Sequence, residues 1–352
     1  MRAAIFHHSY EPLSIGNVPD PAVGPHDVLI AIRTCSLCHT DMQFIDQGMA
    51  PNMKPPIILG HEIAGVIEEV GSEVKKFKPG EPVIVPATIT CNQCLACKSW
   101  NETYCENIRR IGIDINGGFA EYIAVPDFHP YRLPHEYEFE VGSLISNLLI
   151  GAYHLAFDRV NIRAGEKVVI FGSGGFGLSI LQMAKLREAQ VYMVDIFDWK
   201  LSEAKRLGAD AVLNSNKVPV CEEAVQDMLG GKADICIETI GAPRTLMQAI
   251  NSLKKGGRLV LSGYSENPLP FLIGRIIHNE ISLIGAEGAP RRKIPEVIHL
   301  LEDGKINIAN LVTKRFNLDN INQGISTQRM GQTIRTVIYP FGLKAKREQE
   351  SQ

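Results

Sequence analysis

Up to about Leu148 the chain alternates apolar and polar positions in short runs punctuated by Gly and Pro. "DVLIAIR", "GVIEEV" and "EPVIVP" each read as a strand with one face turned to a core. From about Gly151 to Gly288 the texture changes. Apolar runs such as "KVVIF", "QVYMVD", "DICIET" and "RLVLSG" alternate with stretches of helical period, "GLSILQMAKLREA", "KLSEAKRLGA" and "RTLMQAINSLKKGG". That alternation predicts a parallel, doubly wound α/β sheet with helices on both faces. From "KIPEVIHLLEDGKI" onward the mixed texture returns. The reading is a β-rich, barrel-like domain over 1–150, an α/β domain over 151–288, and a segment, 289–352, that rejoins the first.

Composition adds limits rather than detail. A chain of 352 residues is long enough for two domains with their own cores, and 45% hydrophobic with 21% charged residues describes a globular protein. The net charge of −3, without a sustained run of either sign, gives no footprint for nucleic acid or an anionic membrane. Val141 to Phe157 is the most apolar window, but Ser143, Ser146, Asn147 and His154 interrupt it, so no membrane span is expected. The start, "MRAAIFHHSY", lacks the apolar core of a signal peptide. The tail "KAKREQESQ" is expected to be solvated. These features predict a cytoplasmic protein, a setting in which clustered cysteines signal metal more than disulfides.

Three constellations carry chemistry. Cys91, Cys94, Cys97 and Cys105 follow C-x2-C-x2-C-x7-C, a spacing that lets four thiolates wrap one zinc ion tetrahedrally. Four protein ligands close the shell, so this zinc is expected to be structural. Second, Gly172, Gly174 and Gly177 give G-x-G-x-x-G between an apolar strand and a helix, with Gly175 in the same turn. The first glycine permits the turn, the second admits a pyrophosphate, and the third lets helix and strand pack. Asp195 closes the next strand, where its carboxylate can accept from ribose hydroxyls and repel a 2′-phosphate, favouring NAD over NADP; Lys200 lies near enough to temper that preference. Third, "CSLCHTD" and "LGHEIAG" supply Cys38, Asp41, His61 and Glu62. Cys38 and His61 are candidate ligands of a catalytic zinc, which needs an open position, and Asp41 is a candidate for orienting the imidazole. Cys35, Cys221 and Cys236 read as core thiols.

Taken in order, "GHEIAGVIEEVG", "FKPGEPVIV", the four-cysteine loop, "GGFAEYIAVP" and the glycine-rich turn resemble the zinc-dependent medium-chain alcohol dehydrogenases. The resemblance runs from "MRAAIF" to "TIRTVIYP". It implies a GroES-like β-rich catalytic domain plus a Rossmann NAD-binding domain, and an assembly of two or four identical chains. It makes Cys38 and His61 zinc ligands and Thr40 the hydroxyl that takes the substrate proton. Glu62 becomes an acid able to enter the metal shell. Arg335 matches a cofactor-contacting arginine, and Arg291 is a second candidate for that role, with a plain surface role as the alternative.

Two positions depart from the family's pattern. The third zinc ligand, Cys, Glu or Asp in the family, falls on Asn147, six residues before Tyr153. Either Asn147 ligates through its neutral amide oxygen, or Glu62 or a water replaces it. Gln43 stands where many relatives carry a proton-relaying histidine; water, His39 or the cofactor ribose would have to serve instead. The function expected is hydride transfer between an alcohol or polyol, or its aldehyde or ketone, and NAD. A zinc-poor reductase of an activated carbonyl or double bond, and a non-catalytic NAD-binding protein, are the alternatives.

Overall fold

The computed structural model describes residues 1–48, 53–265, 268, 273–308 and 310–343. The tail "KAKREQESQ" lies outside them. Contacts divide the chain into one unit of Met1–Ile150, Gly288–Ile298 and Ile308–Gln352, and another of Gly151–Glu287 and His299–Asn307. The expected return of 289–352 to the first unit is therefore interrupted. His299–Asn307 packs with the second unit, where the Asn307 amide donates to the buried Gln182 side chain at 2.6 Å.

In the first unit Asp27–Ser36 is the central strand. It pairs antiparallel with Glu62–Val70 on one side and with Arg335–Tyr339 and Tyr122–Pro126 elsewhere along its length. Val28, Ile30 and Ile32 alternate into the core, and past a register shift between Ile32 and Thr34 Cys35 is buried too, each fully shielded. The register sets Ser36 opposite both Glu62 and Val337. The end of this strand is thus flanked by residues from two distant parts of the chain.

The second unit holds a parallel sheet, six-stranded among the described residues. Its order is Ala211–Asn214, Gln190–Asp195, Lys167–Phe171, Ala233–Glu238, Leu253–Leu261 and Ser282–Gly285. The strand earliest in sequence sits in the middle and the order reverses around it, as in doubly wound nucleotide-binding sheets. Val168, Val169, Ile170 and Phe171 are all fully buried, which is why that strand reads as an unbroken apolar run. No helix of the described residues is long and apolar enough to cross a membrane.

Candidate active site

The inner site forms where the central strand ends. Leu37 and Cys38 follow Ser36 directly, and Cys38 caps the helix His39–Asp46. One buried carboxylate then joins two segments. Asp41 Oδ2 accepts the Cys38 amide at 2.9 Å, and Oδ1 accepts the Gly60 amide at 3.2 Å. The same Oδ1 lies 3.4 Å from His61 Nδ1. With Nδ1 facing Asp41, Nε2 is the imidazole nitrogen left for a metal. Cys38 Sγ, a His61 nitrogen and a Glu62 carboxylate oxygen lie within 4.8 Å of one another. Donors sharing one zinc at bonds of roughly 2.0–2.3 Å would need only a modest contraction of that spacing.

Electrostatics favour a cation here. Burial opposes a charged imidazole, yet Asp41 and the Cys38 sulfur outweigh it and push His61 well above the ordinary histidine range. Glu62 is wholly buried, and its Oε1 accepts from Arg335 Nη2 and, at 3.2 Å, from Asn147 Nδ2. Its Oε2 is sealed from solvent without a hydrogen-bond partner. Such an orphan is costly unless a cation faces it. Thr40 Oγ1 lies 3.7 Å from Cys38 Sγ. Gln43 is buried on the same helix, whereas His39 is exposed.

The four-cysteine loop also gathers as its spacing predicts. Cys91, Cys94, Cys97 and Cys105 bring their sulfurs within 4.8 Å of one another, and none is in a disulfide. The amides of Gln93 and Cys94 donate to Cys91 Sγ and draw its thiol down to about 6, while burial and neighbouring sulfurs push Cys97 up to about 12. Four sulfurs this close cannot all ionise together unless a cation neutralises them, which suits zinc.

At the glycine-rich turn, Gly172 takes φ +105, and a Cβ there would meet Thr239 Oγ1 at 2.5 Å. A Cβ on Gly177 would lie 1.9 Å from the Gly172 carbonyl oxygen, so only glycine lets this helix approach. At Gly174, by contrast, a Cβ would meet nothing within 4 Å. The open side at Gly174, ahead of the helix Gly175–Leu186, has the form of an anion cradle, and these residues fit a dinucleotide.

Other candidates carry roles that the sequence does not disclose. Asp195 does more than close its strand. It accepts the Ser173 amide at 2.6 Å and the Ile196 and Phe197 amides at 2.7 and 3.0 Å, tying the glycine turn to the neighbouring strand. Lys200 lies over the rings of Phe197 and Trp199, and burial lowers its pKa against the pull of Asp195. Arg335 is buried, donating to Glu62 and to the Leu37 carbonyl. Arg291, a candidate cofactor arginine, has different partners: it donates to the Phe128 carbonyl at 2.6 Å and to Asn92 at 3.1 Å, and approaches Glu102 at 4.0 Å. It braces the cysteine loop. No pattern in the sequence signals this, because Arg291 and Asn92 are 199 residues apart.

Comparison with known proteins agrees with this geometry. A family model described as the alcohol dehydrogenase GroES-like domain matches residues 24–135, and one described as zinc-binding dehydrogenase matches residues 175–303. The chain is 31% identical to an alcohol dehydrogenase of Geobacillus stearothermophilus, across 94% of this chain and 97% of that protein. It is 29% identical to a sorbitol dehydrogenase of Bacillus subtilis, across 97% of each. The crystal structure of an alcohol dehydrogenase from Aeropyrum pernix superposes with a TM-score of 0.88 at 31% identity, covering 97% of this chain and all of that one. With both halves matched in order and relatives aligned over nearly their full length, the chain belongs to the zinc-dependent medium-chain alcohol dehydrogenase family.

Proposed function

We propose that the protein transfers a hydride between an alcohol or polyol, or the matching aldehyde or ketone, and NAD, with one zinc at the inner site and another in the four-cysteine loop. The observation that carries this reading is the buried trio Cys38, His61 and Glu62, whose ligand atoms lie within 4.8 Å of one another. Three donors hold an ion while leaving a position for a small molecule. When bound, zinc supplies a Lewis acid for the substrate oxygen and NAD supplies the hydride acceptor.

This chain's residues do the rest. Cys38 and Glu62 bring two negative charges to the cation, and Asp41 fixes the imidazole of His61. The Thr40 hydroxyl, beside Cys38 Sγ, takes the proton of the substrate hydroxyl. Gln43 cannot carry it onward by titrating, whereas His39, exposed on the first turn of the same helix, can pass it to water. Asp195 favours NAD, because its carboxylate would repel a 2′-phosphate.

We further expect identical chains to associate and the protein to reside in the cytoplasm. Ser282–Gly285 ends the parallel sheet, with Leu283 on it and Ile277 just before it both exposed, an edge that invites pairing. Four clustered sulfurs that suit a metal are expected in a reducing compartment more than in an oxidising one. The test is metal analysis of chelator-free protein combined with a panel of primary, secondary and polyhydroxy alcohols offered with NAD and NADP. About two zinc per chain with NAD-linked oxidation supports the reading. About one zinc with turnover of an activated carbonyl or double bond would replace it with a zinc-poor reductase, and bound NAD without any turnover would leave a non-catalytic binder.

A further inference from the structure

Asn147 falls at the position of the family's third zinc ligand, yet its geometry points elsewhere. Its side-chain N–H, rather than its carbonyl, is turned to Glu62 Oε1 at 3.2 Å. Arg335 Nη2 donates to the same oxygen, so Oε1 carries two donors while Oε2 has none. The asymmetry leaves Oε2 as the oxygen open to a cation shared with Cys38 and His61. Asn147 is carried by a π-type turn, Ile145–Leu149, a wide form of helix that recurs at functional sites.

We propose that Asn147 is a positioning residue that, with Arg335, fastens Glu62 Oε1 so that Oε2 serves as the resident third ligand, and that Asn147 itself stays outside the metal shell. This inference rests on the zinc-dependent reading above. It also explains the residue type. Unlike a carboxylate or thiolate, the amide of Asn147 donates a hydrogen bond to Glu62 Oε1 and adds no second negative charge beside it, which is compatible with Glu62 as ligand.

The test keeps zinc in the four-cysteine loop and loads cobalt(II) into the inner site of the full chain. Cobalt affinity is measured by chelator competition, and the visible bands report ligand number and type. For Asn147→Ala the expected result is a loss of affinity of roughly tenfold to hundredfold, as for other outer partners of metal ligands, with the bands unchanged in energy and intensity. Asn147→Gln, which keeps an amide donor, should recover part of the affinity. Retained loop zinc and unchanged NAD affinity establish that both variants are folded. Bands that shift or weaken in Asn147→Ala would make Asn147 a ligand and overturn the proposal, and so would an affinity equal to that of the unaltered protein. Failure of the unaltered protein to take up inner-site cobalt would instead sink the zinc-dependent reading itself.

Discussion

Asp195 offers the sharpest quantitative test, because its carboxylate holds three amides in the structure and is proposed to face the cofactor ribose, two duties that a substitution separates. Facing the ribose, it would repel a 2′-phosphate; charges about 4 Å apart interact by roughly 1–4 kcal/mol between water-like and partly buried surroundings. Facing the protein, its two oxygens accept three amides, including that of Ser173 at 2.6 Å. Consider Asp195→Asn. With the amide oxygen on Ile196 and Phe197, the side-chain NH2 confronts the Ser173 N–H, donor against donor; flipped, it confronts the other two. At least one amide loses its acceptor, and Ser173 is fully buried. An orphaned buried donor costs about 1–3 kcal/mol. Because Ser173 lies between Gly172 and Gly174, that cost falls on the cofactor turn. The expected result is a NAD affinity weakened by roughly 5- to 150-fold, at 1.4 kcal/mol per decade. The NADP-to-NAD preference should rise by roughly fivefold or more as the repulsion disappears. Titrating both cofactors against wild type and variant by calorimetry separates the duties. An unchanged NAD affinity would refute the turn-anchoring role, and an unchanged cofactor ratio would refute the ribose-facing role.

Other perturbations should separate just as cleanly. Cys97→Ser should release the loop zinc and lower the melting temperature by roughly 4–8 °C, for about 2 kcal/mol lost, while inner-site metal stays; an unchanged melt with full zinc content would rule out a structural ion. Arg291→Ala should loosen the cysteine loop, speeding zinc release to a chelator, without weakening NAD binding, and a fall in NAD affinity alone would restore the cofactor role. His129, fully buried with Nε2 at 2.9 Å from the Pro86 carbonyl, has its pKa lowered by burial to about 3. Because the unfolded chain protonates this ring near 6.5, its contribution to stability falls as pH drops from there toward 3, by about 2 kcal/mol between pH 7 and 5. His129→Gln should lose less stability over that interval than wild type, and equal losses would contradict the assignment.

The sequence reveals most where the physics is local. The unbroken apolar run Val168–Phe171 reports a strand covered on both faces; Asp27–Ser36 also forms as expected, but it buries Ala31, Thr34 and Ser36 as well as the face that its alternation marks. The cysteine loop and glycine turn are equally plain, since their donors lie within a few residues of one another. Contacts that close over long separations are hidden. Nothing near Arg291 announces Asn92, and nothing near Asn147 announces Glu62, 85 residues earlier. The local texture of "KIPEVIHLLEDGKI" likewise cannot say that its second half packs with the other unit, because an amide from Asn307 to Gln182 settles that.

The same distinction bears on how the inner site comes to exist. Cys38, Asp41, Gly60 and His61 lie close in sequence and are bound together through one carboxylate, so much of the donor set can organise as the first segments pair. Glu62 is different. Its carboxylate is wholly buried, and an unpaired charge there would be strongly unfavourable. The cation that offsets it, Arg335, is 273 residues away, on a strand whose partner is the very strand that ends at the inner site. Closing a loop of that separation costs more chain entropy than closing the short Cys38–His61 segment, with the cost rising as the logarithm of loop length. Without Arg335–Tyr339 against Cys35 and Ser36, Glu62 would lack its charged partner. The C-terminal strand thus supplies both the ladder partner of Cys35 and Ser36 and the cation that Glu62 needs, which ties that buried carboxylate to the finished fold of the first unit.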